Sequence, residues 1–372
     1  GSATSTGSFG KVKSAGGVFE GDGSRELIIT DSSVISLSNN DGGSNNTIFG
    51  RYAGANGSIG EKNAFFGDAV ANDTLTTDAD NNTGLGYRAM HGLTAGSENT
   101  TVGSNAGYSM VAGVRNVAIG VNSLYQGAAQ KTVAIGYETG RYATGSFNTF
   151  VGAQAGVGGT TSAPYSSGEG NVALGYQALT AFTTGGNNIA IGYQAAEALT
   201  TSNMVIAIGH SAAQSFTGDR GYGIYIGRLA GQAETGVYND TIVGGEAGYS
   251  QNMGGAGTSY SYSTYIGYRA GYYNVSGVSN TYVGNEAGFS KTGTGNTAVG
   301  ADAMFGGANA VNSGDSNTAV GTVAGAYFQG DYAVAVGAQA GRFASGSSNV
   351  FMGYQAGRGG TTSAPFSSGT SN

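Results

Sequence analysis

The side chains able to do chemistry are few, and their spacing keeps them apart. His91 and His210 are the only histidines and there is no cysteine. Neither a histidine-centred nucleophile nor a zinc site with closely spaced ligands is expected from such a set. Asp78, Asp80, Asn81 and Asn82 crowd one short segment. They would offer oxygens to a calcium ion, but the glycine with which a calcium loop turns is missing, so a solvated loop is the default. The remaining carboxylates are scattered, and no pair stands out as the acid and base of a glycosidase. Gly84-Leu85-Gly86 opens like a dinucleotide loop, yet such a match is inevitable at this glycine density and no βαβ unit follows. The expectation is a non-enzymatic protein with no catalytic residue, no cofactor and no metal.

What remains is aromatic surface. Tyrosine follows a repeated glycine at Tyr87, Tyr137, Tyr176, Tyr193, Tyr268 and Tyr354. Tyr249, Tyr260 and Tyr262 fall in the long segment before Gly267, and Pro164 and Tyr165 in the one before Gly175. A tyrosine ring stacks on sugars or packs on protein while its hydroxyl takes a polar contact. Tyr165, Tyr249, Tyr260 and Tyr262 are therefore the candidate ligand contacts. The competing reading is that tyrosines shield a small-residue coil or pack between chains.

These residues hang on a repeat. An apolar residue followed by Gly recurs at Gly50, Gly67, Gly86, Gly103, Gly120, Gly136, Gly152, Gly175, Gly192, Gly209, Gly227, Gly244, Gly267, Gly284, Gly300, Gly321, Gly337 and Gly353. The spacing is 16 to 23 residues. Such a period over most of a chain means stacked units rather than one pocketed domain. Columns are numbered here from the repeated glycine as column 0. Column −1 is always apolar, and column −3 is nearly always Thr, Val or Ile, as in Thr100, Val117 and Ile189. Alternation predicts a short strand whose β-branched residues face inward. Column +3 is nearly always Ala, including Ala178 and Ala195, which predicts a narrow core. Column −4 is usually Asn, including Asn171 and Asn188, which predicts an amide ladder. Column +2 carries Gln154, Gln177 and Gln194, then Glu246, Arg269 and Glu286. The expectation there is a glutamine ladder and an arginine seated between two glutamates.

Composition agrees with an ordered repeat. There are 71 Gly, two Pro, no Trp and 10% charged residues, with no Gly-X-Y triplet. The net charge of −7 argues against a nucleic-acid partner. No apolar run is long enough to span a membrane, so no membrane insertion is expected. The domain reading is a cap or joining segment over 1–40, a repeat array over 41–357, and the start of a further insertion loop over 358–372. Glu26–Thr30 and Val34–Leu37 read as strands of the first segment. The stretch from Gly158 to Gly168 returns, with one change, from Gly359 to Gly369. The chain opens on Gly1-Ser2 and stops at Asn372, where the next coil would begin, so it reads as a fragment of a longer protein.

Asn171-Val172-Ala173-Leu174-Gly175-Tyr176-Gln177-Ala178 and Asn188-Ile189-Ala190-Ile191-Gly192-Tyr193-Gln194-Ala195 resemble the head repeat of YadA-like trimeric autotransporter adhesins. The Asn-Thr-Ala-Val-Gly coils at 296–300 and 317–321 are similar to those of bacteriophage tail fibres. The resemblance covers about 310 residues and implies an all-β, left-handed parallel β-roll of about 18 coils, three chains side by side, and attachment to a host or target surface. It implies an extracellular setting, on a virion tail fibre or a bacterial cell surface, with a glycan or protein receptor. The coils here are longer than in the adhesin heads, and no neck, stalk or anchor is present. With strands about 4.8 Å apart, eighteen coils would extend roughly 80–90 Å. A structural spacer with no ligand of its own is one alternative. A monomeric ice-binding solenoid is another, and it would need Thr in an outward column.

Overall fold

The repeated glycines close each coil by a contact that no other residue permits. At Gly192 φ is +134°, and a Cβ there would lie 2.5 Å from the carbonyl oxygen of Gly209 on the next coil. Gly103, Gly175, Gly267 and Gly300 repeat the geometry, each against the following glycine. Gly50 does the same at the first described coil, and Gly353 keeps the conformation with φ at +116°. Backbone therefore stacks directly on backbone along a glycine seam.

The structure, a computed structural model, describes residues 45–54, 56–57, 59–127, 129–159, 165–218, 221–233, 239–250, 261–306 and 313–360. The strands expected within 1–40, Pro164, Tyr260 and the residues after 360 lie outside these. Each coil contributes a three-residue strand that ends just before its glycine, from Thr47–Phe49 to Val350–Met352. Together they form one 18-stranded sheet. Every strand pairs in parallel with the next coil, as Val172 with Ile189, Ala173 with Ala190 and Leu174 with Ile191. Asn56–Gly57 and Thr74–Leu75 add a second, two-stranded pairing. The array is an all-β parallel solenoid, with no helix among the described residues.

The strand faces the opposite way from the sequence expectation. In Val117–Ile119 the middle residue, Ala118, is buried, and the two β-branched residues flank it on the outside. The same holds in Ile189–Ile191 and Thr281–Val283. The cause is column −4. Its Asn side chains are buried inside the coil, and strand alternation then sends column −3 outward, −2 inward and −1 outward. The Asn188 Oδ1 accepts from the Val205 N–H at 2.9 Å, and its Nδ2 donates to Ser202 O at 2.8 Å. The Asn188 N–H donates in turn to Asn171 Oδ1 at 3.0 Å. Repeated along the coils, this ladder satisfies buried backbone that the short strands leave unpaired.

The interior is filled by pairing columns −2 and +4 within a coil. Where column −2 is Ala, column +4 is often large: Ala118 with Leu124, Ala173 with Leu179, Ala298 with Met304. Where column −2 is aromatic, column +4 is small: Phe65 with Ala71, Phe150 with Gly156, Tyr225 with Gly231, Tyr265 with Gly271, Tyr282 with Gly288. A Cβ at Gly288 would lie 2.5 Å from the Tyr282 ring. Large side chains on the two columns are thus alternatives, and where both are small, as at Ala134 with Gly140, side chains of neighbouring coils such as Phe150 and Leu124 reach into the space. Columns +2, +4 and −5 all adopt left-handed backbone, with Gln194 at φ 52°, Leu179 at 53° and Met204 at 60°. Each such non-glycine residue costs about 1–2 kcal/mol, which coil-to-coil hydrogen bonds hold in place. Leu179 N–H, for example, donates to Ala195 O at 3.0 Å. Ala178 and Ala195 in column +3 are fully buried, as a narrow core requires.

Candidate functional site

Turning columns −3 and −1 outward creates an apolar stripe that follows the array from coil to coil. Neither column holds a charged residue in any of the repeated coils. Column −1 presents exposed Phe49, Leu85, Ile119, Ile135, Leu174, Ile266 and Met352. Column +1 extends the stripe with exposed Tyr87, Tyr137, Tyr176, Tyr193, Tyr268 and Tyr354. Within the stripe, column −3 is Val or Ile from Val172 to Ile224 and then Thr at Thr241, Thr264, Thr281, Thr297 and Thr318.

Beside the stripe run side-chain ladders. The Gln177 Nε2 donates to Gln154 Oε1 and the Gln194 Nε2 to Gln177 Oε1, both at 3.0 Å. Further along, Glu246 accepts from Arg228 and from Arg269, the latter at 2.8 Å. Arg269 also approaches Glu286 at 3.7 Å, so the arginine sits between two carboxylates as its column implied. The bond to Glu246 raises the Arg269 pKa above its ordinary value. The same guanidinium lies over the rings of Tyr268 and Tyr272, at 4.9 and 5.4 Å.

Aromatic residues of a shared column stack face to face. His91, Tyr108 and Tyr125 form one pile, with centroids 4.9 Å apart at each step. Tyr249, Tyr272, Phe289 and Phe305 form another, at 4.9, 5.3 and 5.3 Å. Tyr176, Tyr193 and His210 form a third on column +1. These steps match the spacing between neighbouring strands. Burial raises the Tyr272 pKa above the ordinary tyrosine value.

This stacking separates the candidate tyrosines. Tyr249 turns a ring face to Tyr272, and Tyr165 lies 6.3 Å from Tyr142 with nearly parallel rings. Ring faces used in a pile are not offered to a sugar. Tyr262 stands on left-handed backbone in column −5 and is 55% exposed. Phe147, Met204 and Tyr332 occupy the same outward column on other coils. The sequence reading overlooked the piles at column +5, although counting five residues on from each glycine lines them up.

The groups considered for catalysis stay dispersed. His91 and His210 belong to separate piles. Asp80 Oδ1 accepts the Glu61 N–H at 2.6 Å, and Asn82 belongs to the amide ladder. Gly84 lies in the strand Thr83–Leu85, where a Cβ would meet Val70 at 2.7 Å. Among the described residues no three His, Cys, Asp or Glu side chains gather as a metal site. No helix among them is long and apolar enough to cross a membrane. Comparison with known proteins returns no match: no family model, no curated protein and no solved structure aligns with the chain.

Proposed function

We propose that this chain is a segment of a homotrimeric, non-enzymatic surface fibre whose coils bury their outward apolar stripe against two other copies. The carrying observation is the stripe itself, uncharged in columns −3 and −1 along the whole array. Monomeric soluble proteins rarely leave a continuous apolar strip of this extent in water. The charged residues lie outside these two columns, at Arg51, Asp68 and Arg228 of the bordering column +1 and on turns and ladders. The number three comes from the resemblance to trimeric fibres. Light scattering is expected to return the mass of three chains at micromolar concentration. Replacing Leu174, Ile191 and Ile208 together with Glu is expected to release monomers that keep their strand circular dichroism. A parent chain that is monomeric overturns the assembly.

Attachment to a host or target surface, on a virion fibre or a bacterial adhesin, is the role that fits such an assembly. The contact is to a cell-surface glycan or protein, and not to nucleic acid. Column −5 carries exposed aromatic side chains, of which Tyr262 falls in the longer spacing between Gly244 and Gly267. Tyr262→Ala is expected to weaken binding roughly tenfold in a cell or glycan binding assay, with the oligomer unchanged. Equal binding by the variant rejects this position. A parent that binds nothing supports the spacer reading.

One observation favours a second reading. Thr241 to Thr318 form an outward Thr column beside a Val and Ile column, the condition an ice-binding solenoid requires. A monomer that slows ice recrystallisation, and loses that activity on Thr281→Tyr, would put this reading first.

A further inference from the structure

Column +7 turns back into the coil, and large apolar side chains such as Leu93, Met110, Phe182 and Phe328 fill it. In the Gly284 coil this column holds Lys291, which is fully buried. Its Nζ donates to a single acceptor, Phe328 O, at 3.5 Å and two coils away. The stem therefore runs lengthwise past the level of the Gly300 coil. Among the described residues no carboxylate forms an ion pair with it. The carboxylates acting on it are those of Asp315 and Asp331 on neighbouring coils. Both are already engaged, accepting the N–H groups of Thr294 at 2.7 Å and Asp315 at 2.8 Å. On its own coil, Glu286 faces outward toward Arg269. Tyr282 is the titratable group of the interior there. A buried ammonium held by one long carbonyl contact weakens the structure around it.

We propose that Lys291 makes the coils led by Gly284, Gly300 and Gly321 a proton-controlled joint in the array, looser while its amine is charged and tighter once it is neutral. Burial supports this by pushing the Lys291 pKa down to about 8 from 10.5. Between these values the unfolded chain binds more protons than the folded one, so stability rises with pH across that window and is flat below it. Tyr282 acts in the opposite sense. Burial raises its pKa well above the ordinary value, so stability falls again once unfolded tyrosine ionises, above about pH 10.

The test is hydrogen exchange on the intact chain, corrected for the chemical exchange rate at each pH. Between pH 7 and 9 the opening constant of segments 281–299 and 318–330 is expected to fall roughly tenfold. Segment 172–208 should not change. In Lys291→Met the fall disappears. If that variant does not fold, nitrogen NMR of the Lys291 amine in the parent chain decides the matter by its titration midpoint. A midpoint near 8 supports the joint, and an ordinary lysine midpoint overturns it. Equal pH response of both sets of segments, or a persisting fall in the methionine variant, also overturns it.

Discussion

Replacing Gly192 with Ala is expected to cost more than about 4 kcal/mol and to disrupt the coils around it. Two penalties coincide at this site. The backbone sits at φ +134°, which L side chains rarely adopt, and the new Cβ would press on the Gly209 carbonyl at 2.5 Å. That oxygen belongs to the glycine seam, so it cannot swing aside as a flexible side chain would. Gly245→Ala is the matched control. A Cβ there meets only the Tyr268 ring at 3.6 Å, an ordinary contact, and a change within about 0.5 kcal/mol is expected. Thermal melts of the two variants check the difference. Indistinguishable melts would mean that the seam is not the closing contact.

Gly288→Leu is expected to destabilise by about 3 kcal/mol, and Tyr282→Ala in the same chain should restore most of the loss. The backbone alone does not forbid leucine here, because Leu179 occupies the equivalent column at φ 53°. What forbids it is the Tyr282 ring, 2.5 Å from the new Cβ. In the double variant the coil takes the small-then-large arrangement that Ala173 and Leu179 already use. A double-mutant cycle from urea unfolding should yield a coupling energy of at least about 2 kcal/mol. Additive effects would reject the pairing of the two columns.

The period, the strands and the ladders were legible because stacked coils show each column to the eye many times. Asn171 and Asn188, Gln177 and Gln194, and Arg269 between its glutamates all lie where a simple count from the glycine puts them. The direction of the strand was misread. Val117 and Ile189 look like core residues, and Ala118 and Ala190 look incidental between them. The decisive sign lay one step earlier. An Asn that bonds buried backbone must point inward, and alternation from Asn116 then exposes Val117 and buries Ala118. Reading the Asn column only as a ladder, without asking which face of the strand it takes, hid that parity. The volume pairing was hidden for a different reason. Tyr282 and Gly288 are six residues apart, and neither column is constant, so only their joint variation carries the signal. The surface consequence, an uncharged outward face, could not be seen until the parity was right.

The pairing of Tyr282 with Gly288, and of Ala173 with Leu179, has a consequence for how such a chain changes over time. Each coil hands the same glycine, Asn and strand positions to the next. Length is therefore a quantised property, altered in whole-coil steps of about 4.8 Å. A tandem duplication or deletion that keeps the glycine-to-glycine phase rejoins the seam and both ladders. One that breaks the phase leaves backbone facing the wrong column. The near-copy of 140–168 at 341–369 is what a past duplication of whole coils would leave behind. Under this constraint the reach of the molecule evolves by counting.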